Sequence, residues 1–147
     1  MSTIDKAVKI REGEELNISL LEIYLRDALP GITDTLTIKQ FPSGFSNLTY
    51  LIKTGKREMI LRRPPFGKKA KTAHDMKREY DILSALKGHY PYCPDPLLYC
   101  DNPEVMETPF YLMERIEGII FRKDLPEGMT LSEKEARALS ELSLIHI

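Results

Sequence analysis

Four short stretches carry residue types that can handle a chain of phosphates. The first is Ser43-Gly44-Phe45-Ser46-Asn47, between two β-type runs. Gly44 permits a positive φ and close backbone approach. Ser46 and Asn47 can bond a ligand or cap the turn themselves, so the same string also serves as a plain β-turn. The second is Arg62, on a strand where alternation puts Ile60 and Arg62 on one face and Met59, Leu61 and Arg63 on the other. One arginine then points toward the core and one toward solvent. An inward arginine requires an anion; at a sheet edge both can instead snorkel. The third is Glu79, in the helical run Lys77-Arg78-Glu79-Tyr80. It sits beside an apolar stripe and can pair with Arg62 or with a basic neighbour on its own helix. The fourth is Phe110–Gly118, an apolar strand running into an acid and a glycine. Its backbone can bond a flat aromatic ligand, with Met113 against the ring or in the core.

The surrounding pattern predicts elements to position these residues. Apolar residues at Leu16, Leu20, Ile23 and Tyr24 predict a helix over 14–29, ended by Pro30-Gly31 and packed on the outside of the domain. Alternation over 35–41, 48–53 and 58–63, with turns at Pro42-Ser43-Gly44 and Thr54-Gly55-Lys56, predicts an antiparallel three-strand meander. Thr72 with Asp75 is a capping-box-like start for a helix to about Lys87, with Ala73, Met76, Tyr80, Leu83 and Leu86 as its stripe. Short strands follow at 97–100, 110–116 and 119–121. Ser132 with Glu135 starts a last helix from Glu133 to Glu141 or beyond. This order is α+β, with a mainly antiparallel sheet.

Composition narrows the function classes. With 147 residues, 42% hydrophobic and 29% charged, the chain is an ordinary globular domain or one lobe of a larger protein. No apolar run is long enough to cross a bilayer. The N-terminus has charges where a signal peptide needs an apolar core, so a cytoplasmic protein without membrane partners is expected. Cys93 and Cys100 do not form a metal-type pair, and no His, Asp and Ser set reads as a triad. The net charge of −1 conceals a basic stretch: Lys53–Arg78 holds ten Lys or Arg and two acids, about +8, which leaves about −9 elsewhere. A basic middle suits a polyanion or a solvated face. It lacks the interleaved aromatics of a nucleic-acid surface, so no nucleic-acid partner is expected.

Taken together, FPSGFSNLTYLI, MILRRPP, KREYDILSAL and FYLMERIEG resemble the N-terminal lobe of the aminoglycoside phosphotransferase-like kinases, in the right order and spacing. LRRPP looks most like the subgroup related to phosphotransferases fused to acyl-CoA dehydrogenases. The resemblance implies a protein-kinase-like N-lobe over 14–117. It has a five-stranded sheet, one packed helix between strands 3 and 4, and flanking helices. It implies ATP and Mg²⁺ as cofactors and a small-molecule hydroxyl as substrate, with a hydroxyacyl-CoA or hydroxy acid favoured over an aminoglycoside. Ser43, Gly44, Phe45, Ser46 and Asn47 match the loop covering the ATP phosphates, with Thr49 beyond it. Arg62 matches the third-strand cation, usually lysine, and Glu79 the carboxylate that orients it. Ile60 and Met113 match positions around the adenine, and Glu114 C=O and Ile116 N–H match its backbone partners.

The family's catalytic base and Mg²⁺ ligands lie in a second lobe, in an HGDxxxxN loop and a later aspartate motif that this sequence lacks. No catalytic residue is therefore assigned to this chain. Residues 1–13 read as a polar lead-in and 118–141 as the start of a connection to that lobe. Residues 142–147, LSLIHI, are similar to a translated transposon-end adaptor and are expected to be foreign. The fragment is expected to bind ATP weakly or not at all and to lack kinase activity. The alternative is a non-catalytic, pseudokinase-like nucleotide-binding or interaction module.

Overall fold

The computed structural model describes residues 6–42, 47–67, 75–119, 125 and 127–144. It contains two compact units, the first being Lys6–Glu117 and the second running from Gly118 onward. The first holds a five-stranded antiparallel sheet and two helices. These are α1 (Ile18–Ala28), β1 (Leu36–Gln40), β2 (Leu48–Thr54), β3 (Arg57–Arg63), α2 (Met76–Leu86), β4 (Pro96–Cys100) and β5 (Phe110–Glu114). Strand order is β1-β2-β3-β5-β4, so β5 is inserted beside β3.

Alternation along the strands divides the side chains between two faces. One face carries Leu48, Tyr50, Ile52, Met59, Leu61, Phe110 and Leu112. All of these are buried, and Leu21 and Leu25 of α1 pack with them in the main core. Each of these two leucines contributes about 1.5–3 kcal/mol by leaving water. Helix α1 therefore carries one wall of the core, where the sequence suggested an outside helix. It is shorter than 14–29 because Asn17 caps it, accepting from Leu20 N at 3.1 Å.

Helix α2 lies on the other face. It meets β4 and β5 through Tyr80, whose ring centroid is 5.8 Å from Tyr99 and 6.4 Å from Tyr111. Met76, Tyr80, Leu83 and Leu86 are its shielded apolar positions, as the stripe predicted, and Ala73 lies outside the described residues. Asp75 is the N-cap, accepting from Arg78 N at 2.9 Å. The N-cap is thus the second residue of the expected box; Thr72 is not among the described residues.

Two further differences concern the chain ends of this unit. Val8 exchanges backbone hydrogen bonds with Gln40 at 2.8 and 2.9 Å. The polar lead-in thus covers the free edge of β1, and Ile10 packs against the core. Strand β5 stops at Glu114 rather than 116. Ile119 is not in a strand, and residues 120–121 lie outside the described part. In the second unit, α3 spans Glu133–Leu144. Its capping box is formed: Ser132 N donates to Glu135 Oε2 at 2.8 Å and Glu135 N to Ser132 Oγ at 3.3 Å.

Candidate functional site

Strand register sets three rows of side chains on the α2 face. Thr49 pairs with Arg62, and Arg62 with Tyr111. Leu51 pairs with Ile60, and Ile60 with Met113. Lys53 pairs with Glu58, which also binds Arg115 just past β5. Rows two residues apart along a strand are separated by about 7 Å. The face thus reads as a polar row, an apolar shelf and an ion cluster. Leu51 and Ile60 are buried and Met113 is half-buried.

The polar row is completed by Glu79 from α2. Arg62 Nη1 lies 3.5 Å from Glu79 Oε2, with about a third of each side chain exposed. Tyr111 Oη donates to Glu79 Oε2 at 2.8 Å and Asn47 Nδ2 to Oε1 at 2.9 Å. The carboxylate is therefore held from β5, β3 and the end of the β1–β2 loop together. Arg62 Nε is buried and has no hydrogen-bond partner among the described residues, which leave part of this guanidinium unsatisfied. An unmet buried donor is costly; the exposed third of the Arg62 side chain is the part open to a ligand oxygen.

The neighbouring arginine behaves differently. Arg63 is 2% exposed and enters the α1 face. Its Nε donates to Pro64 O at 3.0 Å, and the Phe66 ring covers the guanidinium at 3.7 Å. Burial lowers its pKa, opposed by Tyr50, Glu107 and Glu14. It borders a hollow of about 290 Å³ that Glu15, Glu104 and Glu107 also line. Those acids disfavour an anion there. The strand is regular, so the two arginines diverge; the deeply buried one is Arg63, and Arg62 stays accessible on the α2 face.

The other expected positions fall around the same rows. Thr49 stands beside Arg62, and Ile60 and Met113 form the shelf. Glu114 is exposed at the end of β5 and its N–H donates to Asp95 O at 2.9 Å. Ile116 is exposed in the irregular chain beyond. Ser43, Gly44, Phe45 and Ser46 lie outside the described residues. Tyr111 was missed in the sequence. Alternation with Met113 gave its face, but only the β3–β5 register brings it opposite Arg62. The Lys53–Glu58–Arg115 cluster was missed for the same reason. Burial raises the Glu58 pKa, but bonds from Lys53 and Arg115 outweigh it and hold the carboxyl below its ordinary value. Among the described residues no group of three His, Cys, Asp or Glu could hold a metal ion. No helix among them is long and apolar enough to cross a membrane.

A paired strand cation and helix carboxylate beside an apolar shelf is the arrangement the resemblance implied. The model of the phosphotransferase enzyme family matches residues 37–145. The chain belongs to the phosphotransferase enzyme family. Among solved structures, this chain is similar to a Ralstonia eutropha protein assigned as an aminoglycoside phosphotransferase. The TM-score is 0.64 at 25% identity, over 79% of this chain and 32% of that one. The five-stranded sheet and its helices are thus a kinase-like N-terminal lobe. Among curated relatives, acyl-CoA dehydrogenase family member 11 of Rattus norvegicus is 34% identical over 140 residues, 92% of this chain and 18% of its own. Family member 10 of Mus musculus is 37% identical over 128 residues, 86% of this chain and 12% of its own. The chain therefore spans less than a fifth of the length of these relatives.

Proposed function

We propose that this chain is the nucleotide-holding lobe of an ATP-dependent phosphotransferase, which in the complete protein moves the ATP γ-phosphate to a small-molecule hydroxyl. The observation that carries this reading is the polar row itself. Arg62, with a buried N–H unmet among the described residues, is oriented by Glu79 next to the Leu51–Ile60–Met113 shelf. A forked cation suits phosphate oxygens, and an apolar shelf about 7 Å away suits a flat base.

ATP would be held as follows. Arg62 takes phosphate oxygens, and Glu79 fixes its direction. Asn47 and Thr49 stand beside it at the end of the loop Ser43–Asn47. Ile60 and Met113 contact the adenine, with Glu114 C=O and Ile116 N–H at its edge. Bound Mg²⁺ would supply charge neutralisation on the phosphates; its ligands and the catalytic base are assigned to a second lobe beyond this chain. Residues 118–141 would begin the connection to that lobe, and 142–147 are proposed to be foreign. The names of the curated relatives refer to acyl-CoA chemistry, which favours a hydroxyacyl-CoA or hydroxy acid over an aminoglycoside.

The test is to read the source gene past codon 141 and assay its product. An in-frame HGDxxxxN segment and MgATP-dependent phosphorylation of a hydroxyl substrate are expected, with no turnover by the 147-residue chain alone. A native stop after Ile147 would contradict the two-lobe reading and favour a non-catalytic binding module. Robust turnover by the short chain would contradict it equally.

A further inference from the structure

The Glu79 carboxylate is closer to two neutral donors than to its arginine. Tyr111 Oη and Asn47 Nδ2 lie at 2.8 and 2.9 Å, and Arg62 Nη1 lies at 3.5 Å. The first two are full hydrogen bonds; the third is an ion-pair distance. The position of Glu79 is thus set by Tyr111 and Asn47, and the arginine adjusts to it. Tyr111 is rooted in β5 at 1% exposure, directly across the ladder from Arg62. A donor this rigid fixes the carboxylate without moving itself.

We propose that Tyr111 is a positioning residue for phosphate recognition, holding Glu79 so that the Arg62 guanidinium stays aimed at a polyphosphate. The inference rests on the phosphate-binding reading above. Tyr111 need not touch the ligand. Its hydroxyl takes up one carboxylate oxygen, and Asn47 takes up the other from the loop side. Arg62 is then not drawn into a tight fork on Glu79, and the donors on the exposed third of its side chain are left for ligand oxygens. Burial, and then the Glu79 bond against the opposing Arg62 charge, raises the Tyr111 pKa well above the ordinary tyrosine value. It therefore remains a donor throughout the neutral range. Asn47 gives the arrangement a second consequence, since one carboxylate ties the loop end to the strand cation.

The experiment is an NMR titration of the 147-residue chain with inorganic tripolyphosphate, following the Arg62 Nε–H signal. Wild type, Tyr111→Phe, Glu79→Gln and the double variant are compared. The wild type is expected to saturate in the millimolar range. Tyr111→Phe should weaken binding about fivefold, the equivalent of one ordinary hydrogen bond. Glu79→Gln should weaken it at least as much. The double variant should lose clearly less than the sum of the two single losses, because Tyr111 acts mainly through the residue-79 side chain. Unchanged affinity in Tyr111→Phe, or additive losses in the double variant, would overturn the positioning role and leave the phosphate site standing. A wild-type Arg62 signal that ignores tripolyphosphate both in this chain and in the complete gene product would overturn both.

Discussion

Removing the Glu79 carboxylate should cost far more than removing a surface ion pair. In Glu79→Ala the Tyr111 hydroxyl, in a residue 1% exposed, loses its carboxylate acceptor. An orphaned buried hydroxyl costs about 1–3 kcal/mol. Asn47, 6% exposed, loses one bond and adds a smaller share. The Arg62 pair is at 3.5 Å with about a third of each side chain in solvent, so it contributes under about 1 kcal/mol. The sum is about 2–4 kcal/mol, a large fraction of a small domain's stability. With a urea slope of about 1–3 kcal/mol per molar, the unfolding midpoint should fall by about 1–2 M. Tyr111→Phe in the Glu79→Ala background removes the orphan. The double variant should therefore be more stable than the sum of the two singles by at least about 1 kcal/mol. An alanine variant within about 0.5 kcal/mol of wild type, or strict additivity, would refute the hydrogen-bond hub.

Three further outcomes are expected. Arg63→Met should leave the urea midpoint unchanged or raise it. The buried guanidinium has an Nη2 without a partner among the described residues, and an apolar chain of similar length avoids its desolvation; a loss above about 2 kcal/mol would contradict this. Burial raises the Tyr50 hydroxyl to about 12. The folded state thus favours the neutral phenol, so this contribution is intact below pH 10 and is lost as pH climbs from 10 through 12. It amounts to about 2–3 kcal/mol, and unfolding at high pH should show a shallower slope in Tyr50→Phe. Gly55 has φ +55°, and a Cβ there would collide with Asp34 Oδ2. Gly55→Ala should lower stability by about 1–2 kcal/mol, part of which Asp34→Ala should restore.

Most of the sheet was legible because its strands alternate cleanly and are bounded by Pro and Gly. Leu48, Tyr50 and Ile52 did face one side together, and Ser132 with Glu135 did cap the last helix. The Arg62–Glu79 meeting followed from the resemblance; spacing alone left Glu79 free to pair on its own helix. Three features could not be read. The deeper arginine is Arg63, because which face α1 covers is decided by long-range packing. Tyr111 is silent in sequence, since its role depends on the register between β3 and β5. The bridge from Val8 to Gln40 involves only backbone groups, so no side-chain pattern announces it.

The central claim is that Arg62 receives the phosphates of ATP. It is tested most directly by the specificity constant for ATP in the complete gene product carrying Arg62→Ala. Loss of a charged donor from a phosphate site predicts a fall of about 100-fold. An Arg62→Ala protein that turns over ATP with the wild-type specificity constant would contradict it.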